Sequence, residues 1–279
     1  MSRDHAQAIS AGDELFTARS LIISAPDGLP IAVRDHGGPG PAVLMIHGWS
    51  CNQDFWAPQI RPLSEHFRLV TLDLPGHGAA RAGAGDRPWS IAGYGGDVVA
   101  VADSLRIDRL ALIGHSMGGA VAVEAALQLG DRCSLLMGVD TFNEAAFYGR
   151  RPMAEIRERC ASFDGDFGAT MRGMVRAITD ESADPVMVEW IGDAMAATPL
   201  PVAVGVLEAL LAWDIEHRWP ALTVPAVTIN SALLAARNEL LELPDLELHH
   251  VAAAGHFPML EQPDAFNALA LAILSQRLA

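Results

Sequence analysis

A chain of 279 residues, 51% hydrophobic and 19% charged, carries enough apolar side chains to bury a sizeable core, which excludes a disordered or low-complexity protein. Its formal net charge is −15 and every basic residue is an arginine, a balance that excludes nucleic acid as a partner and stable association with an anionic membrane. Cys51, Cys133 and Cys160 show no metal-type spacing and are odd in number, so no bound metal and no disulfide framework are expected, and a cytoplasmic location fits.

Residues 1–18 are acidic and polar where a secretory signal needs an apolar stretch, and they read as an N-terminal arm. LIISAP and IAVRDHG, flanking Asp27-Gly28, form an opening antiparallel hairpin. AVLMIHG (42–48), RLVTLDL (68–74), RLALIGH (109–115) and SLLMGVD (134–140) are too continuously apolar to be one-sided, and they read as buried strands. Helices are predicted near 53–66, 91–106 and 117–129, the last ending at Gly130. The alternation then stops, and residues 141–220 give three or four amphipathic helices without a convincing strand. AVTIN (226–230) and LELHHVA (246–252) resume the strand pattern, and PDAFNALALAILSQRL closes the chain with a helix. The organisation is one α/β domain in two parts, 19–140 and 221–279, interrupted by the helical segment 141–220.

Gly114-His115-Ser116-Met117-Gly118 fits G-x-S-x-G between a buried strand and an Ala-rich helix. Small residues two before and two after Ser116 let a sharp strand-to-helix turn close and lift the hydroxyl above the sheet edge. The backbone N–H of Met117 then faces charge developing on a substrate oxygen. A serine hydroxyl needs a base, and Gly255-His256-Phe257-Pro258 follows the last strand at the same edge, so His256 is the expected base. His47-Gly48-Trp49 ends the third strand and offers the Trp49 N–H as second oxyanion donor.

HGW (47–49), DLPGHG (73–78), GHSMGG (114–119) and GHFPMLEQP (255–263) together resemble the α/β-hydrolase superfamily in order and spacing, over residues 20–278. The resemblance implies a mostly parallel central sheet flanked by helices, with 141–220 as a lid, inserted after the sixth strand, over the substrate pocket. Two departures stand out. DLPGHG continues to Ala79-Ala80 rather than Ser, in a segment read as structural. Most members carry the triad acid just after the strand that follows the lid, where this chain reads Ile229-Asn230-Ser231-Ala232-Leu233-Leu234. Asp140, ending the sixth strand, is the favoured acid, with Glu144, Glu239 and Asp245 as other candidates. That placement resembles some haloalkane dehalogenases, certain lactonases and cofactor-free ring-cleaving dioxygenases of this fold. The acid orients the imidazole and stabilises its cation, which demands a geometry rather than a particular loop.

A serine nucleophile with a His base, an acid and two amide donors suits acyl transfer to water, so hydrolysis of a carboxylic ester or lactone without a cofactor is the expected reaction. The lid supplies Phe142, Phe147, Met153, Met171, Met174, Met187, Trp190 and Met195, from which Phe142, Phe147 and Trp190 are taken as substrate-pocket residues. The expected partner is a medium-sized, uncharged or aromatic small molecule, with a homodimer left open. Two enzymatic alternatives share the scaffold: a carbon–carbon bond hydrolase, and a cofactor-free dioxygenase that needs a His/Asp base dyad and an oxyanion site and can dispense with a nucleophilic role for Ser116. A non-catalytic small-molecule receptor is the third.

Overall fold

The computed structural model describes residues 18–82, 87–163, 165–237 and 239–278, so all but the last residue of the predicted arm lies outside the described residues. Eight strands form one sheet: β1 (Arg19–Ser24), β2 (Pro30–Gly37), β3 (Ala42–Ile46), β4 (Arg68–Asp73), β5 (Leu110–His115), β6 (Cys133–Val139), β7 (Ala226–Ser231) and β8 (Leu246–Val251). Their order is β1-β2-β4-β3-β5-β6-β7-β8. β1 and β2 pair antiparallel, β2 runs antiparallel to β4, and every later pairing is parallel. All residues of β3 and β5 are buried, which is why these segments are apolar without alternation. The outermost strand β1 instead alternates and exposes Ile22.

Helices α1 (Ala57–Ser64), α2 (Ile91–Ser104) and α3 (Met117–Leu129) follow β3, β4 and β5. Gly130 caps α3 at φ 57°, a positive φ that glycine adopts without steric cost. Between β6 and β7 the described residues form α4 (Ala145–Tyr148), α5 (Met153–Ala161), α6 (Phe167–Ile178), α7 (Pro185–Ala196), α8 (Leu200–Leu211) and α9 (Ile215–Arg218). The four longer ones match the predicted count. α4 and α9 are four residues each, too short for a hydrophobic period to register. α10 (Ala232–Arg237), unforeseen for the same reason, follows β7, and α11 (Pro258–Glu261) and α12 (Pro263–Leu278) end the described chain. No single helix among the described residues is long and apolar enough to cross a membrane.

The insert is tied to the sheet domain by buried polar contacts. Glu124 on α3 accepts from Trp213 Nε1 at 2.8 Å and from Arg218 through Nε at 2.7 Å and Nη2 at 2.6 Å. Trp49 Nε1 donates to the Ala203 carbonyl of α8 at 2.7 Å. A charged group under cover is tolerable only when its lone pairs are met in this way.

Two histidines with rings 5.0 Å apart, His47 and His77, are fully buried, and His47 ties the loop after β3 to the one after β4. Leu74 N donates to His47 Nε2 at 3.1 Å, so His47 is neutral there and its Nδ1–H donates to the Gly48 carbonyl at 2.7 Å. Burial lowers His47 to about 4, and burial together with the neighbouring His47 lowers His77 to about 3. The unfolded chain takes up these protons near pH 6.5 while the folded chain does not. Stability from these groups is therefore complete above that pH and is lost as pH falls toward 4. The melting temperature is expected to decline across that window, and less steeply in His77→Gln; parallel slopes in a thermal-melt series would contradict this.

Candidate active site

β5 and β6 pair Gly114 with Gly138 and His115 with Val139, which brings Ser116 and Asp140 to adjacent positions at the carboxyl edge of the sheet. Ser116 N donates to the Val139 carbonyl at 3.0 Å, and Asp140 N to the Ile229 carbonyl at 3.0 Å. Both residues sit at positive φ, 52° for Ser116 and 47° for Asp140. Such conformations cost about 1–3 kcal/mol each and persist only where the surroundings over-determine them. At the serine turn the constraint is visible at Gly118, where a Cβ would press on the carbonyl oxygens of Ile46 and His47.

His256 joins the two. Its Nε2 lies 3.0 Å from Ser116 Oγ and its Nδ1 lies 2.6 Å from Asp140 Oδ2. The other carboxylate oxygen, Oδ1, accepts the Ser231 backbone N–H at 2.7 Å. Burial disfavours a charged His256. The hydrogen bond and charge of Asp140, with the charges of Glu144 and Glu261 behind them, outweigh it and raise the pKa above the ordinary histidine value. Asn230, near the end of β7, donates Nδ2–H to Asn143 Oδ1 at 2.9 Å and accepts from Thr141 N at 3.3 Å. It holds the loop that carries Asp140. Glu144 lies on the cavity wall, while Glu239 and Asp245 are absent from the network around His256.

The histidine loop is fixed from three sides. His256 N donates to the Ile178 carbonyl at the end of α6 at 2.7 Å. Glu261 collects the N–H groups of Gly255 (2.9 Å), Phe257 (3.0 Å) and Asp180 (2.8 Å). His115, whose pKa burial and then the nearby His256 push well down, is neutral and donates Nε2–H to the His256 carbonyl at 2.8 Å. Ser231 Oγ adds a bond to the Ala254 carbonyl at 2.6 Å. Sequence reasoning gave no role of their own to Ser231, Glu261 and His115. Glu261 lies inside the quoted GHFPMLEQP motif, its one available signal.

Ser116, His256, Trp49 and Phe147 share a cavity of about 650 Å³ between the sheet edge and the insert. Phe163, Met174, Met195, Leu207 and Phe257 form its apolar wall, and Glu155, Glu158 and Arg159 stand at its polar end. Met117 is fully buried at the start of α3. The loop carrying Trp49 lies against the serine, since a Cβ on Gly48 would come 3.3 Å from Ser116 Cβ. Cys51 also faces the cavity, but burial pushes its thiol well up and keeps it protonated.

Two expected pocket residues lie elsewhere. Phe142, at φ 75°, turns into the core and sets its ring 5.4 Å from that of Trp219. Trp190 is 38% exposed and lies 4.9 Å from the Phe55 ring, outside the cavity. Helical spacing identified apolar residues of the insert but not which of them turns toward the serine.

Gly255 offers the sharpest local test, because a Cβ there would collide with the Ile178 carbonyl. Gly255→Ala is expected to cost about 1–3 kcal/mol in denaturant unfolding. Because the shift displaces His256, activity should fall by more than the folded fraction does; a fall matching the folded fraction alone would count against the tight loop.

With this geometry in view, the likenesses to known proteins are informative. The chain matches the family described as "Alpha/beta hydrolase family" over residues 43–269. It is 25% identical over 252 residues to the pimeloyl-(acyl-carrier protein) methyl ester esterase of Nitrosospira multiformis, covering 83% of this chain and 93% of that one. It is 24% identical over 247 residues to the Karrikin insensitive 2 receptor IA of Petunia hybrida, covering 84% and 90%. Among solved structures, the enol-lactonase of Burkholderia xenovorans superimposes with a TM-score of 0.76 at 24% identity, covering 91% of this chain and 99% of that one, a likeness of fold. The chain belongs to the alpha/beta hydrolase family.

Proposed function

We propose that the chain is a serine hydrolase that cleaves a carboxylic ester or lactone of a medium-sized, uncharged or aromatic molecule through an acyl-enzyme. The observation that carries this reading is the unbroken chain of hydrogen bonds from Ser116 Oγ through His256 to Asp140, opening into a mostly apolar cavity.

In acylation, His256 Nε2 takes the Ser116 proton as Oγ bonds to the carbonyl carbon. The backbone N–H groups of Trp49 and Met117 receive the resulting oxyanion, and His256 returns its proton to the departing alcohol oxygen. Water then enters with the same base, and Ser116 leaves. Asp140 accepts the Nδ1–H throughout, fixing the tautomer and stabilising the imidazolium. The apolar wall takes the hydrocarbon part of the substrate; Glu155 is paired with Arg151 and Arg159, and the remaining carboxylates of Glu144 and Glu158 disfavour an anionic one.

A second reading, a receptor that keeps the pocket with slow turnover, is favoured by the receptor relative in Petunia. A fluorophosphonate probe is expected to label the wild-type chain and not Ser116→Ala, and a panel of p-nitrophenyl esters and lactones should turn over repeatedly. Labelling without turnover would select the receptor; labelling that survives Ser116→Ala would reject the nucleophile.

The base must be neutral, so activity is lost as pH falls through the raised His256 pKa. The acid limb of kcat/KM is therefore expected above pH 6.5, the ordinary histidine value. Asp140→Asn removes the largest influences raising that pKa. It should move the limb to lower pH and reduce kcat by roughly a thousandfold or more, as the equivalent change does in a serine protease. An unmoved limb at near wild-type rate would place the acid elsewhere.

A further inference from the structure

The turn that carries the Trp49 N–H is held from the insert side. Cys51 N donates to the Gly48 carbonyl at 3.2 Å and closes a four-residue turn over 48–51. The turn lies against the nucleophile, since a Cβ on Gly48 would come 3.3 Å from Ser116 Cβ. Its third residue, Ser50, sits at φ 56°, a left-handed conformation that a serine adopts only at a steric cost. Ser50 Oγ is buried and meets no hydrogen-bond partner among the described residues, a second cost at the same position. A conformation of this kind persists where its surroundings over-determine it. Two bonds from the insert do so here. Thr198, buried in the link between α7 and α8, donates Oγ1–H to the Ser50 carbonyl at 3.2 Å. Trp49 Nε1 donates to the Ala203 carbonyl of α8 at 2.7 Å, and its ring packs edge-on with that of Phe163, centroids 5.3 Å apart. The first bond fixes the peptide plane after Ser50, and the second fixes the direction of the Trp49 side chain. The peptide between Gly48 and Trp49, whose N–H is the oxyanion donor, is thereby left little room to rotate.

We propose that Thr198 and the indole of Trp49 are positioning residues for the oxyanion site. Acting through the turn, they aim the Trp49 N–H at the substrate carbonyl oxygen, so the site is complete only with the insert seated on the sheet domain. This rests on the acyl-enzyme reading above. In acylation and again in deacylation, the nucleophile bonds to the carbonyl carbon and the π pair moves onto oxygen. The pair returns as the leaving group departs, so the oxygen carries its charge only briefly. A donor already directed at that oxygen needs no reorganisation, the condition under which hydrogen bonds contribute most to rate. Loss of either bond to the insert lets the 48–51 turn relax and swings the N–H away. The bonds joining Ser116, His256 and Asp140 do not pass through the turn and stay in place. Thr198 is absent from the cavity wall, so its loss slows chemistry without weakening substrate binding.

The test compares p-nitrophenyl acetate with its thiono analogue, in which sulfur replaces the carbonyl oxygen. Sulfur is a weak hydrogen-bond acceptor, so the thiono ester uses the same triad but gains little from the oxyanion donors. In Thr198→Val, kcat for the oxygen ester is expected to fall roughly tenfold with KM within about twofold of wild type. The ratio of kcat/KM between the oxygen and thiono esters should fall by about the same tenfold. Trp49→Phe, which keeps a ring but loses the indole N–H, should lower that ratio too. Thr198→Ser, which keeps the hydroxyl, should restore it. An equal fall for both esters in Thr198→Val overturns the proposal, because a role in packing or folding slows both alike. An unaltered ratio, or one that Thr198→Ser does not restore, overturns it as well. If Trp49→Phe does not fold, the two Thr198 variants carry the test by the same criteria. A wild-type chain that forms no acetyl adduct at Ser116, read by intact mass, defeats the acyl-enzyme reading and this proposal together. A normal adduct with an unaltered ratio in the variants defeats this proposal alone.

Discussion

One hydrogen bond, from His256 Nδ1 to a carboxylate at the end of β6, dictates the rest of the site. At 2.6 Å it sets the plane of the imidazole and turns Nε2 toward Ser116. Because the acid comes from β6, the end of β7 has a different task. Asn230 braces the 141–143 loop, and Ser231 grips Asp140 with its amide and the histidine loop with its hydroxyl. A carboxylate so held presents one oxygen to the backbone and the other to the ring, which leaves a single orientation for both partners.

That arrangement is strained at both strand ends, and the insert helps to maintain it. Ser116 and Asp140 each adopt positive φ. Ile178 from α6 accepts the His256 amide, Glu261 binds amides of the histidine loop and of Asp180 together, and Trp49 reaches up to α8. The element that walls the substrate cavity is thus also part of the clamp on the base. Displacement of α6 would alter both the pocket and the reach of His256, so binding and chemistry are mechanically linked here.

Much of this was legible in the sequence, for identifiable reasons. Strands buried on both faces must be apolar throughout, so β3 to β6 announced themselves. The Gly114–Gly118 turn is constrained by backbone approach, which leaves a local trace. The family resemblance implies an acid after β7, where no carboxylate precedes Glu239, so Asp140 at the end of β6 is favoured, and the geometry brings Asp140 and not Glu239 against His256. What stayed hidden depends on partners distant in the chain. Glu261 meets Asp180 and Ser231 meets Asp140, and neither pair leaves a local pattern. Phe142 and Trp190 were placed in the pocket because spacing reports that a residue is apolar, not what it faces; one turned to the core and the other to Phe55.

The most direct measurement is proton NMR of the ring N–H of His256, assigned with nitrogen-labelled histidine. A short bond to a buried carboxylate pulls that proton strongly downfield. The account expects such a resonance in the wild-type chain, sharpened when a fluorophosphonate on Ser116 traps the imidazolium, and its loss in Asp140→Asn. A resonance in the ordinary imidazole range, or a downfield one that survives in Asp140→Asn, would contradict it.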